Sequence, residues 1–263
     1  MPINKGLLKE DEFVYFLDHK KPKYLSENLK EMLESLFGIV DPNLMVYCKK
    51  TVDYIKPDII IKHRKIEKAV SIKSGHSQGL HCEQIKPFIL FLRSLGISNR
   101  TQQTILLFLY GDGTMDGTGE KRYSQHDVCK KLAERIKAAN FELNRDVGFI
   151  EKFVDRIMFS GVDPNATKAD VIYAGDVNKG IVVTKEQIMK HLSVKDWSVY
   201  DNLHIGPIFL NAGARYVDRP IKNEKKRHII ECYWPRFKED MAYIARRYTQ
   251  YHTPYLQKSK VAL

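Results

Sequence analysis

The chain has 263 residues, 43% hydrophobic and 11% aromatic, which is enough to build a packed interior and excludes wholesale disorder. No stretch approaches the roughly 20 apolar residues of a membrane span, and the opening MPINKGLLKEDEF lacks an apolar signal core, so a cytoplasmic protein is expected. A net charge of +11 points to a polyanionic partner, nucleic acid first, while Cys48, Cys82, Cys129 and Cys232 form no CxxC pair and give neither a zinc ribbon nor a disulfide framework.

Residues 11–19 (DEFVYFLDH) read as a short helix. Ser26 caps a second, in which Leu29, Met32, Leu33 and Leu36 recur at helical spacing before Gly38 ends it. Strands are expected at 43–50, 57–63 and 68–75. Residues 80–96 read as a helix, with Pro87 imposing a kink or a late start. The apolar run 102–111 reads as a strand buried on both faces. The glycine-rich stretch 111–122 lacks the closing Gly-Lys-Ser/Thr of a phosphate loop and the spacing of a calcium loop, so it is a surface loop. Helices follow from Ser124 to about Ala139 and over 148–159. A hairpin turns at Val177-Asn178-Lys179, and Thr184 caps another helix. A second hairpin lies around 204–234, and a last helix spans about 236–248. The order predicts an α/β chain with a mixed central sheet flanked by helices over 1–111, and an α+β extension over 112–263.

Residues 56–75, KPDIIIKHRKIEKAVSIKSG, carry the chemistry. Alternation along the third strand separates Val70 and Ile72 from Ser71 and Lys73. Asp58 opens the neighbouring strand about 4.8 Å away, so Asp58, Ser71 and Lys73 can share one patch. Glu83 is expected in the first turn of the following helix, folded back over the strand ends. Two carboxylates, a lysine and a hydroxyl suit phosphodiester hydrolysis. A divalent cation neutralises the anionic diester and lowers the pKa of a bound water, and a lysine offsets developing charge. His76, His81 and Cys82 lie beside this set, but no fourth ligand has the spacing of a zinc site.

Pro57-Asp58 followed by a strand ending in x-x-Lys resembles the PD-(D/E)xK nuclease superfamily, which includes many restriction endonucleases. The resemblance covers about residues 26–111. It implies an αβββαβ restriction-endonuclease-like core, with magnesium as the cofactor and manganese as a substitute. Ser71 stands where the family has an acid. In one group of restriction enzymes that acid has moved to the next helix, which implies Asp58 and Glu83 as metal ligands and Lys73 as the lysine that positions water. The leading helix sometimes adds an acid, and of Glu27, Glu31 and Glu34 the favoured candidate is Glu31.

Ser74, His76 and Ser77 are placed to meet a phosphate beside this patch. From Arg219 to the C-terminus there are 11 Lys or Arg against 4 Asp or Glu. Arg215, Arg219, Lys225, Lys226, Arg227, Arg236, Arg246 and Arg247 are the candidate nucleic-acid contacts there. The expected activity is sequence-specific cleavage of double-stranded DNA by a homodimer, one subunit per strand. Structure-specific repair, RNA cleavage in defence, and DNA binding on a degenerate nuclease fold are the rival readings.

Overall fold

A computed structural model describes residues 5–51, 56–73, 79–163, 165–194, 197, 202–213 and 224–249. In chain order these form α1 (Lys5–Leu17), α2 (Glu27–Phe37), β1 (Val46–Lys50), β2 (Ile59–His63), β3 (Ile66–Lys73), β4 (Gly79–Gln84) and α3 (Ile85–Ser94). Then come α4 (Asn99–Tyr110), α5 (Gln125–Lys131), α6 (Ala133–Asn144) and α7 (Val147–Asp155), a π-helical turn at Arg156–Ser160, β5 (Val171–Gly175) and β6 (Gly180–Thr184). The remainder is α8 (Lys185–Leu192), β7 (His204–Ile205), β8 (Ile208–Ala212), β9 (Ile229–Tyr233) and α9 (Phe237–Thr249). Among the described residues no helix is long and apolar enough to cross a membrane.

The chain is mixed α/β, as expected, but it does not divide near residue 111. Its contacts define two units of interleaved segments: Met1–Ser77, Met158–His191 and Arg236–Leu263 make the first, and Gln78–Ile157 with Leu192–Pro235 make the second.

The first unit holds a five-stranded sheet in the order β1-β2-β3-β5-β6. β1, β2 and β3 form an antiparallel meander, β5 runs parallel to β3, and β6 returns antiparallel to β5. Strand alternation puts Val46, Cys48, Ile59, Ile61, Val70 and Ile72 into one cluster with Phe13 and Leu17 of α1 and Leu29, Met32 and Leu33 of α2. Phe13 meets the Tyr173 ring edge-on at 5.1 Å. α9 packs against β6. Thr184 caps α8 as the sequence suggests, in a reciprocal box: the Gln187 backbone N–H donates to its hydroxyl and its own N–H donates to the Gln187 side-chain oxygen Oε1.

The second unit has an antiparallel sheet in the order β4-β9-β8-β7 and the helices α3 to α7. Two expectations change here. Residues 102–110 are helical, in α4. Ser98 caps that helix by accepting from the Thr101 N–H, Ile105, Phe108 and Leu109 are buried, and Gly111 closes it in the left-handed region. Residues 79–84 are a strand, and the helix begins at Ile85. Pro87 accordingly sits in the first helical turn, where its missing N–H has no intrahelical acceptor to lose.

Candidate active site

The ends of β1, β2 and β3 gather a polar group in the first unit. Asp58 precedes β2, where its N–H donates to the Val70 carbonyl at 2.9 Å and its own carbonyl accepts from the Thr51 N–H and hydroxyl, each at 3.1 Å. Its backbone is therefore fixed by both neighbouring strands. Its Oδ2 accepts from the Ile72 N–H and from the Ser71 hydroxyl at 3.1 Å, and lies 3.9 Å from Lys73 Nζ. The expectation that Asp58, Ser71 and Lys73 share one patch thus matches the geometry. Ser71 is fully buried, whereas the Asp58 and Lys73 side chains keep 21% and 18% of their exposure. A small molecule can reach the acid and the amine, while the hydroxyl acts from beneath. Among the contacts described for the Asp58 carboxylate, all fall on Oδ2.

A second carboxylate, Glu10, lies at the same end of the sheet, held through Lys50, which pairs with Ile59, the residue after Asp58. Glu10 shares one stripe of α1 with Phe13 and Leu17, at helical spacings of three and seven. The stripe that drives the helix onto the sheet therefore carries the acid with it. Burial raises the Glu10 proton affinity first and the negative charge of Asp58 adds to it, against the lowering effect of Lys50. Lys50 Nζ, at the end of β1, stands 3.1 Å from Glu10 Oε2 and 3.1 Å from Asp11 Oδ1. The sequence reading begins the first helix at Asp11 and so passes over Glu10. The available signal was its phase with Phe13 and Leu17. Glu31, the favoured acid of the leading helix, is exposed on α2, and its charge is felt by the Tyr173 hydroxyl.

Glu83 is placed differently from expectation. It lies on β4 rather than in a helix, and it belongs to the second unit while Asp58 belongs to the first. Its side chain is only 3% exposed and is gripped by Arg156, with Nε to Oε1 at 3.2 Å and Nη2 to Oε2 at 2.7 Å. His81 Nε2 stands 3.4 Å from Oε1. Burial alone would push the Glu83 carboxyl up. The hydrogen bonds from His81 and Arg156, with the Arg156 charge, outweigh it and hold the group below its ordinary value. The Arg156 guanidinium also sits over the Phe91 ring, 4.5 Å from its centroid.

Among the described residues no three His, Cys, Asp or Glu side chains cluster as a metal site. Magnesium does not require such a cluster. It is commonly held by one or two carboxylates and keeps several waters. Asp58 and Glu10, two carboxylates at one end of the sheet, are donors of that kind.

The expected nucleic-acid contacts are dispersed. Ser74, His76, Ser77, Arg215 and Arg219 lie outside the described residues, as does the Lys225 side chain. Lys226 is exposed. Arg227 is half-buried and donates to the Gly119 carbonyl at 3.2 Å, which ties it to the glycine-rich loop. Arg236, Arg246 and Arg247 are exposed on or beside α9, in the first unit. Arg246 donates to the Ala242 carbonyl, and the Arg247 guanidinium lies over Tyr243 and Tyr248 at 5.7 and 6.0 Å.

No protein-family model matches this chain, and no curated protein matches its sequence. The fold and the polar group at the strand ends therefore carry the functional reading on their own.

Proposed function

We propose that this protein is a metal-dependent nuclease of the PD-(D/E)xK type, acting on phosphodiester bonds in double-stranded DNA with magnesium, or manganese in its place. The observation that carries the reading is the convergence of Asp58, Ser71 and Lys73 from two adjacent strands, with a second carboxylate, Glu10, at the same end of the sheet. The antiparallel β1-β2-β3 meander followed by a parallel strand supports it, with residues 78–157 inserted between β3 and β5.

In this reading Asp58 and Glu10 hold the cation. Glu83, already neutralised by Arg156, keeps a structural role. The bound ion would neutralise the diester and lower the pKa of a water. Ser71 and the Ile72 N–H hold the Asp58 carboxylate in one orientation, so no reorientation is needed when substrate arrives. Lys73 supplies a positive charge beside the acid, where it orients the attacking water and offsets charge developing on the phosphoryl oxygens. Exposed cations such as Arg236 and Arg246 supply sequence-independent attraction to the phosphate backbone. A homodimer would place one such site on each strand.

Binding without cleavage is the second reading, favoured by Ser71 in place of an acid. Both are tested by incubating the pure protein with magnesium or manganese on plasmid DNA, a branched DNA junction and tRNA. Discrete linear fragments from plasmid are expected. Asp58→Ala and Lys73→Ala should each lower the rate by about 10²–10³-fold while nucleic-acid retention on a gel persists. Undiminished cutting by Asp58→Ala, or no cutting of any substrate by the wild type, would overturn the nuclease assignment.

A further inference from the structure

Lys50 occupies an unusual position at the candidate site. Its ammonium sits between Glu10 Oε2 and Asp11 Oδ1 at the same distance, 3.1 Å from each. The two acids differ in surroundings. The Glu10 side chain is 20% exposed and is held by Lys50 at the strand end next to Asp58, whereas the Asp11 side chain is 62% exposed at the helix surface. An ordinary surface pairing of a lysine with a helix acid accounts for the Asp11 contact. It does not account for the inner contact, where the ammonium compensates the less exposed acid at the strand end that carries Asp58.

We infer that Lys50 is an internal counter-cation of the nuclease site, holding Glu10 in the metal-free protein and yielding it to a divalent ion by shifting onto Asp11. The inference rests on the metal-binding reading given above. It makes Lys50 a positioning residue that sets metal affinity. The physics is a competition of cations for one carboxylate. Two acids left without compensation repel each other, so the lysine stabilises the empty site. The same positive charge opposes the entry of a second cation. Asp11 lowers the barrier to exchange because the alternative acceptor is already in contact, and the lysine needs no new backbone position to use it.

The test is magnesium binding by titration calorimetry, without nucleic acid, paired with thermal unfolding in EDTA and in magnesium. Lys50→Met should bind magnesium on the order of tenfold more tightly than wild type. It should melt lower than wild type in EDTA and gain more from added magnesium. Asp11→Asn keeps the lysine but removes its outer acceptor, and should weaken magnesium binding roughly threefold. Lys50→Met binding magnesium no more tightly than a wild type that does bind overturns the counter-cation role and leaves the metal reading standing. Absence of magnesium binding in wild type and both variants overturns both. Should Lys50→Met fail to fold, Asp11→Asn decides: binding as tight as wild type, or tighter, overturns the proposal.

Discussion

Arg156 reaches Glu83 with two nitrogens in a setting nearly closed to water, and that pairing separates two acids that look alike in the sequence. Asp58 is left accessible with a lysine at 3.9 Å; Glu83 is already neutralised. Removing the guanidinium strands a buried carboxylate, so Arg156→Ala should cost about 3–5 kcal/mol of stability, measurable as a lowered denaturation midpoint. The pH dependence follows from the same contact. The folded-state Glu83 carboxyl lies below its ordinary value, so its contribution is fully present above the ordinary glutamate range. It is lost as pH falls through the lower folded value. Wild type should therefore show an acid-side loss of stability that is blunted in Glu83→Gln, followed by urea titration across that range. A slope unchanged by the substitution would remove the linkage. In the sequence, Asp58, Ser71 and Lys73 were legible because strand alternation and strand spacing are local rules. Glu10 and the Glu83–Arg156 pair were not, since the first depends on where α1 begins and the second joins residues 73 positions apart.

The glycine-rich loop shows how an element without regular structure is still specified. Asp112 Oδ1 accepts from the Thr114 N–H and hydroxyl, and Asp116 Oδ1 does the same for Thr118, so two short Asp-Gly-Thr turns build the loop from within. Gly117 has a φ of +81°, and a Cβ there would meet two carbons of the Tyr110 ring at 2.7 Å. Gly117→Ala should thus cost about 2–4 kcal/mol, combining left-handed strain with overpacking, and would be seen as a fall in melting temperature. A melting temperature unchanged within a degree would contradict that packing. Elements with strong end signals were readable: α2 before Gly38, the β5–β6 hairpin, and α8 after Thr184. The misreadings share one cause. In 102–111 a short run with nearly continuous apolar character does not tell a buried helix from a buried strand. In 79–84 the buried positions of β4, Leu80 and Glu83, are three apart, a spacing that reads as helix and runs into the apolar helix that follows.

At the scale of the molecule, the division into interleaved units governs what can be cut away. A fragment of residues 1–111 would lack β5 and β6 from the first sheet and β7, β8 and β9 from the second. It should show no cooperative unfolding transition by circular dichroism; a sharp two-state melt would refute the division. The boundary near 111 was unreadable because its cause is long-range, as the first sheet closes only when chain from beyond the insertion returns to it. Val70 pairs with Val171, and Ala69 bonds to Asp170 across 101 positions. Translation at about 5–20 residues per second leaves a wait of roughly 5–20 s between the emergence of those partners. Throughout that interval the nascent β3 carries an open edge with no strand to receive it. The newborn protein is then most exposed to mispairing with its neighbours on the polysome.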